Sequence, residues 1–160
     1  MDQKNAGHPP DTPAAEDLTM PFVAVTRLHV RSFRFLLPFA WHTWRSFRQA
    51  KQAAGSLGVR LRIAEGLAYW TVTAWQDESA MNAFRITRPH RDAMPRLLEW
   101  CDEASLVHWN QESAELPDWE TAERRMAESG RLSKVNHPSA DQRAGRLDFI
   151  RRKAAPTDGG

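Results

Sequence analysis

Apolar and polar residues alternate through "FVAVTRLHV" (22–30), a run rich in β-branched side chains, which predicts a strand. Phe22, Ala24, Thr26, Leu28 and Val30 share one of its faces; Val23, Val25, Arg27 and His29 share the other. The period then changes. Leu37, Trp41, Trp44 and Phe47 stand three or four apart, the spacing of an apolar helix stripe that should pack on the sheet. Pro38 suits the first helical turn and Gly55 a helical stop, with Arg45, Arg48 and Lys51 outside the stripe. Alternation returns in "VRLRIAEG" (59–66), with Val59, Leu61 and Ile63 facing one way and Arg60 and Arg62 the other. "LAYWTVTAW" (67–75) follows almost directly, so the two runs read as a hairpin. Asp77 is placed to cap a helix through "ESAMNAF", with Ala80, Met81 and Phe84 turned inward. "RPHRDAMPRLLEWCD" is a second helical piece that Pro95 should break or kink. "ASLVHWNQ" (104–111) is a last strand, and "PDWETAERRMAE" a closing helix anchored by Trp119.

The order β, α, β, β, α, β is the split-βαβ, ferredoxin-like pattern: an α+β fold with a four-stranded antiparallel sheet and helices on one face. Residues 22–111 hold this unit, within a domain of residues 20–128. The other sheet face then needs a cover. A second sheet from a partner is the expected one, giving a homodimeric α+β barrel with a cavity in each half. Residues 1–19 and 129–160 are poor in residues to bury and read as disordered tails, the second of them basic.

Composition narrows the functional classes. A formal charge of +2 is too small for a dense basic face, so nucleic acid is not an expected partner. The most apolar run, "FLLPFAW" (35–41), is far shorter than the roughly 20 residues of a membrane span. A stretch "RSFRFLLPFAWHTWRSFR" mixes arginines with apolar residues as membrane-surface helices do, but packing on the sheet is its expected role. No stable membrane insertion is expected. The N-terminus has no apolar core of a signal peptide and Cys101 is the single cysteine, which makes a reducing cytoplasmic setting the default.

Candidate chemistry sits on the strands and helix starts. Tyr69, Thr71, Thr73 and Trp75 share one face of their strand, with Trp109 at the end of another; the small Ala68 and Ala74 on its opposite side suit packing under helices, so the Tyr69–Trp75 face is expected to be the uncovered one that looks into the cavity. An aromatic wall with a few polar groups describes a small-molecule pocket. His42, His90 and His108 are the candidate catalytic bases or ligands, and Arg60 and Arg62 would hold an anionic substrate if they converge with them. Trp41, Arg91 and Met94 complete the proposed substrate contacts. No histidine pair has metal-ligand spacing, and there is no G-x-G-x-x-G, P-loop or G-x-S-x-G. No cofactor is therefore the first expectation. Haem is the alternative, since one axial histidine needs no spacing motif.

The run "YWTVTAWQDESAMNAFRITRPHRDAMPRLLEWCDEASLVHW" resembles proteins of the antibiotic-biosynthesis-monooxygenase-like superfamily, the dimeric α+β barrels. It is similar in particular to a bacterial branch beginning "MPFVAVTRLHVRS", and more distantly to spheroidene-monooxygenase-type proteins. The resemblance spans residues 20–120. It implies a homodimer with one pocket per subunit and makes oxidative chemistry plausible. That superfamily includes cofactor-independent monooxygenases acting on electron-rich aromatic substrates, haem proteins and non-enzymatic members. The reading is thus a monooxygenase-like enzyme for a small conjugated, anionic substrate. A haem-binding barrel and a non-enzymatic ligand-binding or interaction module are the alternatives.

Overall fold

The computed structural model describes residues 20–147. Five strands form one sheet: β1 (Phe22–Val30), β2 (Ser56–Ala64), β3 (Ala68–Trp75), β4 (Cys101–Asn110) and the short β5 (Arg131–Leu132). Their order is β2-β3-β1-β4-β5, with antiparallel pairing throughout. The first four strands are the expected ferredoxin-like sheet, and β5 is an addition that sequence alternation was too short to reveal. The helices are α1 (Leu36–Gln52), α2 (Glu78–Ile86), α3 (His90–Trp100), α4 (Trp119–Ser129) and α5 (Ala140–Arg143). Asp77 and Asp118 cap α2 and α4 by accepting from the Ala80 and Thr121 amides, at 2.7 and 2.8 Å. Gly66 turns the β2–β3 hairpin at φ +67°, a conformation open to glycine at little steric cost. Pro95 lies inside α3 without ending it. Its side of the helix is exposed, so water can satisfy the carbonyl that lacks a donor.

Helices of this one chain pack on both faces of the sheet, leaving Leu61 and Ile63 of β2 exposed. On the first face, α1, α2 and α3 close two ends with apolar plugs. One joins Phe22, Trp75, Ala50 and Met81; the other joins Val30, Cys101, Phe39, Ala104 and Val135. The second face carries Val23, Val25, Trp70, Val72, Ala74 and Val107 against Ala122 and Met126 of α4, with Trp119 and Leu147 at the margin. The Tyr69–Trp75 face, expected to be bare, instead lies under α1, α2 and α3, and the opposite face takes α4, because the large apolar plugs at both ends of the sheet point toward the three helices. The segment after α4, read as a tail, is built in as far as Leu147. Ser133, Asn136 and Ser139 amides donate to the carbonyls of Ala104, Leu98 and Asp102. Backbone bonds of this kind leave no periodic signal in side-chain chemistry, so the sequence hid them. Residues 1–19 and 148–160 lie outside the described residues.

The apolar stripe of α1 is turned the other way from expectation. Leu37 is 85% exposed, Trp41 56% and Trp44 48%. The inward row is Phe39, Thr43, Ser46 and Ala50, of which Phe39 and Ala50 are buried. The sheet supplies the bulk beneath this helix through Phe22, Tyr69 and Trp75, so small residues on the helix side fit and a second tryptophan layer would not.

Candidate functional site

Strand register sorts the predicted residues by face. Arg60 and Arg62 pair with Val72 and Trp70, and Arg27 lies across from Trp70 on its other side, all on the α4 face. Arg62 bonds to Glu123, and its guanidinium sits 4.5 Å from the Trp119 ring centre and 5.6 Å from that of Trp70. Arg60 reaches the Pro117 carbonyl at 3.5 Å. Trp109, across from Val23, donates to Gln111 at 3.2 Å and lies under Arg125. These groups fasten α4 and the loop before it. Arg27 pairs with Glu103 at 2.7 Å, and His29 Nδ1 lies 2.6 Å from Asp102. The arginines thus do not converge with the three candidate histidines, which belong to the other side of the sheet.

On the α1–α3 face the register builds rows across the sheet. Val59, Thr73, Ala24 and His108 form one row, then Leu61, Thr71, Thr26 and Leu106, then Ile63, Tyr69, Leu28 and Ala104. Neighbouring strands are about 4.8 Å apart, so Thr71 and Thr26 are adjacent and His108 is one strand and one row away. The two plugs do not seal this middle band. Thr26, Tyr69, Thr71, Leu106 and His108 are all half-buried. Among the described residues, the side-chain groups of Thr26, Tyr69, Thr71 and His108 have no hydrogen-bond partner. Half-buried polar groups left unpaired in this way are open to water or to a ligand.

His108 stands 5.4 Å from the Phe22 ring. Burial lowers its pKa, helped by the Arg131 and Arg85 charges and opposed by Glu78. A neutral imidazole with both nitrogens unengaged can accept a proton. The other predicted members of this face are committed elsewhere. Trp75 is fully buried, and its Nε1 donates to Thr73 Oγ1 at 2.9 Å while that hydroxyl donates to the Ala24 carbonyl at 3.3 Å. Trp75 is a core plug rather than a pocket wall.

His90 and His42 lie further out. His90 packs 4.6 Å from Phe84, which packs 5.0 Å from Trp75. Its Nδ1 donates to the Arg85 carbonyl at 3.3 Å, and burial lowers its pKa. His42 stands between α1 and α3, with its ring 5.5 Å from Trp100 and its Nδ1 buried without a partner. Its pKa is lowered by burial, then by Arg96 and Arg45, against the pull of Asp92. Trp41, Arg91 and Met94 are exposed on the outer surface and face away from the band. Sequence reasoning missed Thr26, whose alternation parity was the available signal, and Arg85, which acts electrostatically on both His90 and His108. Cys101 is buried with its thiol pushed up to about 12 by burial, so it carries no thiolate chemistry. A cleft of about 640 Å³ lies outside the helices, between the end of α1 and the α2–α3 corner, and none of the three histidines lines it.

No protein-family model matches the sequence, and no curated protein matches it. Solved structures do match. The cofactor-independent oxygenase SnoaB of Streptomyces nogalater, as a point mutant, is 14% identical with a TM-score of 0.51, over 62% of this chain and 100% of its own. A Nitrosomonas europaea protein proposed as an antibiotic biosynthesis monooxygenase is 12% identical with a TM-score of 0.53, over 58% of this chain and 91% of its own. A conserved Methanosarcina mazei Go1 protein is 12% identical with a TM-score of 0.53, over 58% of this chain and 94% of its own. At these identities the likeness shows the fold alone: the chain has the ferredoxin-like α+β fold that it shares with these solved structures.

Proposed function

We propose that this protein is a cofactor-independent oxygenase acting on a small, conjugated, acidic substrate in the half-buried band beneath α1 and α3. One observation carries the reading: Thr26, Tyr69, Thr71 and His108 occupy adjacent strands of one face with no partner among the described residues. His108, held neutral, removes a proton from an activated C–H to give a delocalised carbanion. The Thr26, Thr71 and Tyr69 hydroxyls donate to the substrate oxygen on which that charge collects. The carbanion passes an electron to dioxygen, and the radical pair joins through a new C–O bond as a peroxide. The imidazolium returns its proton to the peroxide, and the same carbon then loses its second hydrogen as a proton while the O–O bond breaks, leaving a carbonyl product and water. Leu28, Leu61 and Leu106 line the same face and suit a flat apolar ring system. Anion stabilisation falls to the hydroxyls and to Arg85, because Arg60 and Arg62 are engaged across the sheet.

Oxygen uptake by the purified protein, freed of metal, against a panel of quinol-like and phenolic substrates tests the reading. The expected result is turnover with one member at least, reduced about 100-fold or more in His108→Ala. Binding without oxygen uptake points to a ligand carrier instead. Turnover that His108→Ala leaves unchanged removes the proposed base.

A further inference from the structure

The outer side of α1 bears a stripe that the fold does not use. Phe33, in the 3₁₀ turn before the helix, is 77% exposed, and Leu37, Trp41 and Trp44 follow at helical spacing with 85%, 56% and 48% exposure. Four large apolar side chains in line are unlike the scattered exposed residues of an ordinary surface. Trp41 and Trp44 stack on each other at 5.4 Å. Cations border the stripe. Arg34, Arg45 and Arg48 are exposed, and the Arg48 guanidinium lies 5.0 Å from the Trp44 ring centre. No aspartate or glutamate occurs between residues 21 and 64. The cleft beside Trp44 continues the charge, being lined by Arg45, Arg48 and Arg88 and by no acid. Of the carboxylates near it, Asp92 pairs with Arg88 at 3.2 Å and Asp77 is engaged as the cap of α2, accepting from the Ala80 amide.

A second copy of the chain fits this surface poorly, because a two-fold contact across α1 would set these arginines against their own copies. A straight row of tryptophan, leucine and phenylalanine edged by arginine matches a flat layer that is anionic above and apolar below. We propose that the outer face of α1 seats the protein on an anionic lipid surface. Phe33, Leu37, Trp41 and Trp44 enter the headgroup region, while Arg34, Arg45 and Arg48 meet lipid phosphates. The inference is independent of the oxygenase reading, since none of these residues belongs to the band.

The test is sedimentation of the full chain with vesicles of phosphatidylcholine alone and of phosphatidylcholine with about one-third phosphatidylglycerol. At an ionic strength of about 0.1 M the protein is expected to pellet with the anionic vesicles and stay in solution with the neutral ones. Salt of about 1 M, which shortens screening to about 3 Å, releases much of it. Replacing both exposed tryptophans, Trp41→Ser with Trp44→Ser, weakens binding about tenfold or more. Reversing charge at Arg45→Glu with Arg48→Glu weakens it about fivefold per arginine or more, and because these side chains are exposed the melting temperature stays the same. Absence of pelleting with the anionic vesicles overturns the proposal. So does pelleting that both double variants leave intact, which assigns the effect to cations elsewhere in the chain. A dimer that the tryptophan variant dissociates, with no vesicle binding by the parent protein, replaces the lipid by a self-contact, and capture by an acidic protein alone replaces it by a protein partner.

Discussion

Truncating Met126 to alanine tests whether α4 is a true part of the core. The side chain is fully buried, packed over Val23, Val25, Val72 and Val107 on the sheet face opposite α1, α2 and α3. Met126→Ala removes three heavy atoms from that contact. At about 0.8 kcal/mol for each buried methylene-sized group, the transfer loss is about 2.4 kcal/mol. The cavity left behind adds to it, and substitutions of this kind span about 2–5 kcal/mol. For a chain of this size, that corresponds to a fall in melting temperature of about 2–4 °C per kcal/mol. Urea unfolding followed by far-UV circular dichroism reads the change as a lower midpoint at unchanged m-value. Met94→Ala is the control: Met94 is 43% exposed, and its loss should stay within about 0.5 kcal/mol. If Met126→Ala behaves like the control, α4 does not cover the sheet in solution, and the case for a partner sheet returns.

Other consequences follow from the same packing. His42, His90 and His108 all have pKa values lowered from 6.5 by burial, so at pH 7 each is mostly neutral, and more completely so in the folded chain than in the unfolded one. As pH falls below 6.5 the unfolded chain takes up protons first, and stability declines until the folded-state pKa values are passed. His108→Asn should flatten that decline in a urea titration between about pH 7 and pH 5; an unchanged slope denies His108 its depressed pKa. Among the described residues, the nine of β2 form an edge of the sheet with no further strand beside it, bearing Leu61 at 36% and Ile63 at 66% exposure. We expect a homodimer to form there, because an unpaired apolar edge invites another strand, and Ile63→Glu should give a monomer by sedimentation equilibrium. A parent protein that is already monomeric removes that interface. Haemin titration is expected to give no saturable Soret shift that depends on Arg60 or Arg62, because both are engaged across the sheet from the histidines. A sharp Soret band lost in Arg62→Ala would reverse this.

Strand alternation and capping residues make most of the fold legible in the chain itself. Alternation gives β1 at its observed limits, the β2–β3 hairpin and the Asp77 cap fall where the sequence places them, and the order of elements implies the observed order of the first four strands. These are local features, each set by the preferences of a few neighbouring residues. The parity of Tyr69, Thr71 and Thr73 is legible too, because side chains on a strand must alternate. Parity says nothing about which side of one strand matches which side of the next. Only register brings Thr26 beside Thr71 and His108 one strand and one row from Thr26, and only register carries Arg60 and Arg62 to the opposite face.

The same limit explains why α1 turns its tryptophans outward. By itself, the sequence determined that residues near 36–52 form an amphipathic helix, since helical spacing is a property of the chain alone. Which side of that helix meets the core was decided by the volume the sheet already fills. Phe22, Tyr69 and Trp75 left room for Phe39 and Ala50, so Leu37, Trp41 and Trp44 were turned to the outside. Likewise the second sheet face could be read as apolar, but its cover came from α4 and from backbone bonds after it, contacts between distant residues that no local pattern encodes. Local chemistry chose the elements, and packing between them chose the faces.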